Sequence, residues 1–125
     1  MKRIIVPRLW LWYTGGVILL VTSKLSSEDL AKVAEDFDGY VKVVVDIERK
    51  ILTAGGKLHS EGEELLLQDG SKQERLWGGG LDLETGEIDF DSMINIRPQH
   101  DNSSREVLLP DIRKIMGEVI RNLLQ

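Results

Sequence analysis

The alternation of apolar and polar positions divides the chain into eight segments. Val17 to Val21 (VILLV) is short, rich in β-branched residues and apolar at every position, which predicts a strand covered on both faces. Ser26 or Ser27 is placed to cap a helix whose first turn carries Glu28 and Asp29. Leu30, Val33, Ala34 and Phe37 then recur at helical spacing, and Asp38–Gly39 stops the helix. Val41 to Ile47 (VKVVVDI) and residues 51–56 (ILTAGG) read as a hairpin around the polar turn Glu48-Arg49-Lys50. Residues 60–68 turn helical and end at Asp69–Gly70. Ser71 and Glu74 fit a capping box, so SKQERLW predicts a short helix carrying Leu76 and Trp77. Gly78, Gly79 and Gly80 follow as extended or bulged chain entering LDL, and residues 84–87 form a turn. From Glu87 to Arg97, Ile88, Phe90, Ser92, Ile94 and Ile96 alternate with polar positions, predicting a long strand closed by Pro98. After the polar loop 99–106, Pro110 opens a C-terminal helix with Ile112, Ile115, Met116, Val119, Ile120 and Leu123 on one stripe.

The predicted order is β-α-β-β-α-β-β-α. It points to an α+β fold, a largely antiparallel sheet with helices packed on one face, nearest to a ferredoxin-like core with an added strand and helix. Composition adds limits. The chain has 125 residues, 42% hydrophobic and 30% charged, enough for one ordinary core and unlike a disordered segment. It contains no cysteine, which removes thiolate ligands and nucleophiles and favours a cytoplasmic protein. A net charge of −5 argues against a general nucleic-acid binder. Residues 1–16 read as an N-terminal extension and residues 17–125 as a single domain. A signal-like reading, with Lys2 and Arg3 before an apolar run from Leu9 to Val21, is interrupted by Pro7, Arg8 and Gly15–Gly16. That run is too short for a membrane helix. Trp10, Trp12 and Tyr13 either cover the domain or anchor a second copy in a homodimer.

Several blocks carry a family resemblance: Val45-Asp46-Ile47-Glu48, Leu58-His59, Gly70-Ser71-Lys72-Gln73, Leu76-Trp77-Gly78 and Ile94-Asn95-Ile96-Arg97-Pro98. Asn102, Ser104, Pro110-Asp111 and Ile112-Arg113 extend them. Together they resemble a family of short bacterial and archaeal proteins known as a domain of unknown function. The resemblance covers about residues 17–125 and departs at position 101, where the family pattern has glycine and this chain has Asp101. It implies an intracellular protein and assigns no activity.

Three constellations could carry chemistry. Arg97 and Arg105 can fork onto a carboxylate or phosphate, with Asn95, Gln99 and Asn102 as further donors and His100 beside them. The competing reading is internal: Arg97 pairs with Asp46, Asp89 or Asp91, and Asn102 bonds its own loop. His59 and Glu63 share a helical face and, with Asp46, could hold a divalent metal; alternatively His59 is a structural residue of the helix start. Trp77 beside three glycines either stacks a planar ligand or is core, with the glycines permitting close approach. These patterns lead to a ligand- or protein-binding module with an Arg/Asn surface for a small anionic ligand or a protein. The alternative is a metal-dependent enzyme using His59, Glu63 and Asp46.

Overall fold

In a computed structural model the chain is described over residues 10–13, 16–34 and 38–125. Six strands form one sheet: β1 (Trp10–Tyr13), β2 (Gly16–Val21), β3 (Tyr40–Asp46), β4 (Ile51–Gly55), β5 (Leu76–Asp82) and β6 (Ile88–Asp89). The helices are α1 (Ser27–Val33), α2 (His59–Gln68) and α3 (Pro110–Leu124). The sheet order is β1-β2-β4-β3-β5-β6, and every pair of neighbours is antiparallel. From β2 onward the element order is the predicted one, within the α+β class. Among the described residues no helix is long and apolar enough to cross a membrane.

The helices are divided between the two faces of the sheet, where the sequence suggested one. Val17, Leu19 and Val21 join Val43, Val45, Leu52 and Ala54 under α1 and α3, through Val33, Met116, Val119 and Ile120. Ile18, Leu20, Val44 and Ile51 point the other way and meet Leu65 and Leu66 of α2. The cause is in β2 to β4: these strands are apolar on both sides, so each face needs a cover. This also departs from the ferredoxin-like plan, whose two helices share a face.

Local chemistry explains most boundaries. Ser26 caps α1 by accepting the Asp29 N–H at 3.1 Å. Glu61 reaches back from the first turn of α2 to the N–H groups of Lys57 and Leu58, both at 3.2 Å. Asp46 builds the β3–β4 turn: its Oδ1 accepts the N–H groups of Glu48 at 2.9 Å and Arg49 at 3.0 Å. The predicted capping box at Ser71 does not form. The Ser71 hydroxyl instead donates to Asp46 Oδ2 at 2.6 Å and accepts from Arg49 Nη1 at 2.8 Å. What remains is a single 3-10 turn at Gln73–Arg75, and Trp77 belongs to β5.

The long strand expected from Glu87 to Arg97 is also absent. β6 stops after Ile88–Asp89, and 3-10 turns follow at Met93–Asn95 and Pro98–His100. Ser92 starts the first turn by accepting the Ile94 N–H at 3.2 Å. The segment then folds back on itself: Arg97 and Asn102 exchange main-chain bonds at 2.6 and 3.0 Å. Asp101 between them adopts φ 61, a left-handed conformation. Glycine takes that conformation freely and aspartate tolerates it, so Asp101 fits this turn. β1 pairs with β2 from Trp10↔Leu19 to Tyr13↔Gly16, so part of the N-terminal segment belongs to this same sheet. The expectations placed on the rings of Trp10, Trp12 and Tyr13, on Phe37 and on residues 1–9 lie outside the described residues.

Candidate functional site

A cleft of about 380 Å³ opens between α2 and the folded-back segment. Glu63 of α2 and Gln73 and Glu74 of the first 3-10 turn form one side. Met93, Ile94, Ile96, Arg97, Gln99 and His100 form the other. Of the residues singled out from the sequence, the cleft gathers Glu63, Arg97, Gln99 and His100.

Arg97 is the unusual member. It is only 7% exposed, yet it lines the cleft. Its Nε donates to the Ile94 carbonyl at 3.1 Å and its Nη2 to the Leu76 carbonyl. Its guanidinium lies 4.6 Å from the centre of the Trp77 ring, a cation–π arrangement. Its Nη1 is buried and has no hydrogen-bond partner among the described residues. None of the ion pairs among the described residues involves it. Burial pulls its pKa below the ordinary value, while the charge of Glu63 acts in the opposite direction. The internal carboxylate pairing weighed for Arg97 is therefore not formed; main-chain carbonyls and an indole hold it instead.

The other residues of that constellation have different work. Asn95 and Asn102 are both 0% exposed. The Asn95 carboxamide accepts the Gly78 N–H at 2.8 Å and donates to the carbonyls of Gly78, Phe90 and Arg105 at 3.0, 3.1 and 2.9 Å. Asn102 donates to the carbonyls of Asn95, Ser104 and Glu106 and accepts the Leu108 N–H at 2.7 Å. Both side chains are saturated by the main chain and offer a ligand nothing. Arg105 is exposed and pairs with Asp91, at 3.1 and 3.3 Å. Trp77 is core: it is 3% exposed and does not line the cleft.

The glycines after Trp77 serve close packing. A Cβ on Gly78 would strike Ser92 and crowd His59, and one on Gly80 would strike the Tyr40 ring. That space is filled by this chain's own side chains. Tyr40 donates from its hydroxyl to Asp89 Oδ2 at 2.6 Å, and burial with that bond pushes its pKa up.

The proposed metal ligands are not brought together. Asp46 is buried and holds the β3–β4 turn and Ser71. His59 donates from Nε2 to the Gly79 carbonyl at 2.7 Å, and burial holds its pKa below 6.5. Among the described residues no group of three His, Asp or Glu side chains converges on a point that could hold a metal ion. Conversely, the sequence reading missed Gln73, Glu74, Met93, Ile94 and Ile96 as cleft residues. No pattern in the sequence marked them; in the structure Met93 and Ile96 are 65% and 41% exposed because the predicted strand does not form.

No curated protein and no solved structure matches the chain. A family model does, over residues 19–123, which takes in the sheet from Leu19 onward, all three helices and every wall of the cleft. The chain belongs to the family described as "Protein of unknown function (DUF5674)".

Proposed function

We propose that the protein is a cytoplasmic binding module whose cleft takes a small ligand by an anionic group placed against Arg97. One observation carries this reading: a guanidinium in a cleft wall, nearly buried, without a carboxylate partner and with one nitrogen unpartnered among the described residues. Glu63 favours the charge of Arg97 without forming an ion pair with it, so an anion arriving there gains a charge-assisted hydrogen bond while offsetting the cost of burial. The two carbonyls and the Trp77 ring already fix the guanidinium, so little ordering is left to the binding step. The cleft volume lies at the small end of the range for ligand pockets, roughly 300–1,000 Å³, and suits a small molecule better than a folded partner.

The test is titration of the protein with acetate and with inorganic phosphate, followed by amide NMR shifts and thermal unfolding. Saturable shifts should map to Gln73–Glu74 and Met93–His100. A ligand at one hundred times its Kd should add about 2.7 kcal/mol of stability. Arg105→Ala should bind as the parent does, because Arg105 lies outside the cleft and is paired with Asp91. Arg97→Lys should lose binding. If neither anion gives saturable shifts at the cleft, either in the parent or in a Glu63→Gln/Glu74→Gln variant that removes the two neighbouring negative charges, the reading is wrong.

A further inference from the structure

Arg97 shares the cleft lining with two carboxylates of opposite charge, Glu63 and Glu74. Neither carboxylate is in an ion pair among the described residues. Counting Arg and Glu alone, the walls carry one positive and two negative charges, inside a protein of net charge −5. A simple anion would meet Arg97 but also the repulsion of both glutamates. The remaining wall is apolar, with Met93 and Ile96 exposed. Resting on the binding reading above, we propose that the ligand is a zwitterion of the amino-acid or short-peptide class. Its carboxylate sits against Arg97, its ammonium faces Glu63 and Glu74, and its apolar side chain lies over Met93 and Ile96. Gln99 supplies an amide for a peptide group.

This assignment follows from the arrangement of charges. The cation comes from the folded-back segment and the two anions from α2 and the turn after it, so a ligand carrying both charges is complemented by both and an ion of one sign is opposed by one. Exposed methionine and isoleucine provide contact area that phosphate or acetate cannot use. The volume leaves room for a short ligand only.

The experiment compares three probes by calorimetric titration of the full chain: leucyl-leucine, its N-acetyl derivative and its C-terminal amide. Leucyl-leucine should bind tightest, and acetylation and amidation should each weaken binding about tenfold or more, as loss of a charge-assisted contact does. In the Glu63→Gln/Glu74→Gln variant the penalty for acetylation should vanish while the penalty for amidation persists. Both glutamates are partly or fully exposed, so this variant should fold. If the acetylated dipeptide binds as well as the free one, the zwitterion assignment is overturned and an anion site remains. If the amide binds as well as the free dipeptide, the role given to Arg97 fails and both readings fall. If no dipeptide binds but acetate or phosphate does, this inference alone is overturned.

Discussion

Replacing Asn95 by alanine tests how the cleft wall is held. The Asn95 carboxamide bonds both the N–H and the carbonyl of Gly78 in β5, at 2.8 and 3.0 Å, and so acts as a short piece of neighbouring strand. Alanine leaves both main-chain groups unpaired in a buried place, since Gly78 is itself buried. Each such group costs about 1–3 kcal/mol, giving roughly 2–6 kcal/mol for the pair. The carbonyls of Phe90 and Arg105 also lose a donor, but those bonds are only partly buried and water replaces it at little cost. Against a total stability of about 5–15 kcal/mol the loss is large. For a chain of 125 residues it should lower Tm by about 6–30 °C. Asn95→Asp sharpens the test. At neutral pH it keeps an acceptor for the Gly78 N–H but points a second carboxylate oxygen at three carbonyls. The folded pKa of the introduced carboxyl should therefore lie above the ordinary aspartate value of about 3.9. The sign follows: Asn95→Asp is least harmful at acid pH, where a protonated carboxyl can donate, and the cost grows as pH rises through the folded pKa. The assay is urea unfolding of parent, Asn95→Ala and Asn95→Asp, followed by far-UV circular dichroism at pH values on both sides of that pKa. A cost below about 1 kcal/mol for Asn95→Ala, or an Asn95→Asp cost that does not fall on acidification relative to Asn95→Ala, would refute the reasoning.

Two further outcomes are expected. His59 has its folded pKa held below 6.5 by burial, so on acidification the unfolded chain takes up a proton that the folded chain resists. Stability should decline as pH falls below 6.5, and unfolding curves of His59→Gln should lack that part of the slope. Gly80→Ala should cost about 1–3 kcal/mol by overpacking, because its Cβ meets the Tyr40 ring. In a Tyr40→Ala background the same change should cost far less, and an additive double-mutant cycle would contradict the contact.

The elements legible in the sequence were those whose pattern is decided locally or by burial. Ser26 capped α1 as its position suggested, and the apolar runs of β2, β3 and β4 formed strands. Pro110 opened α3. The failures share a cause in partners that are distant along the chain. Ser71 looked like a helix cap, but Asp46, twenty-five positions earlier, accepts the hydrogen bond from its hydroxyl. The alternation after Ile88 looked like a strand, but Asn95 and Asn102 bond main-chain groups of their own segment and of β5, which bends the chain into turns. A period of two describes side chains and says nothing of such competition for the backbone. For the cleft, Arg97 and Gln99 were legible as polar residues at a strand end. Gln73 and Glu74 were not, because they reach the cleft only once the turn after α2 is set against the folded-back segment.

These bonds also explain why Arg97 can belong to both the fold and a site. β5 is bonded to β3 along one edge, and among the described residues its other edge has a strand partner only at Gly80 and Leu81, through β6. Exposed strand edges invite unwanted pairing. Beyond the end of β6 two side chains take over that edge: Asn95 at Gly78 and Arg97 at Leu76. A lysine could cover one carbonyl there, and an asparagine could do it without charge. Capping the Leu76 and Ile94 carbonyls requires only Nε and Nη2 of a five-donor group. The full positive charge and the unpartnered Nη1 exceed what edge protection needs, and the residue that carries them lines a cleft. A purely structural role predicts that a neutral side chain reaching both carbonyls would serve equally well. A binding role predicts that it would not, and that difference is what anion titration measures.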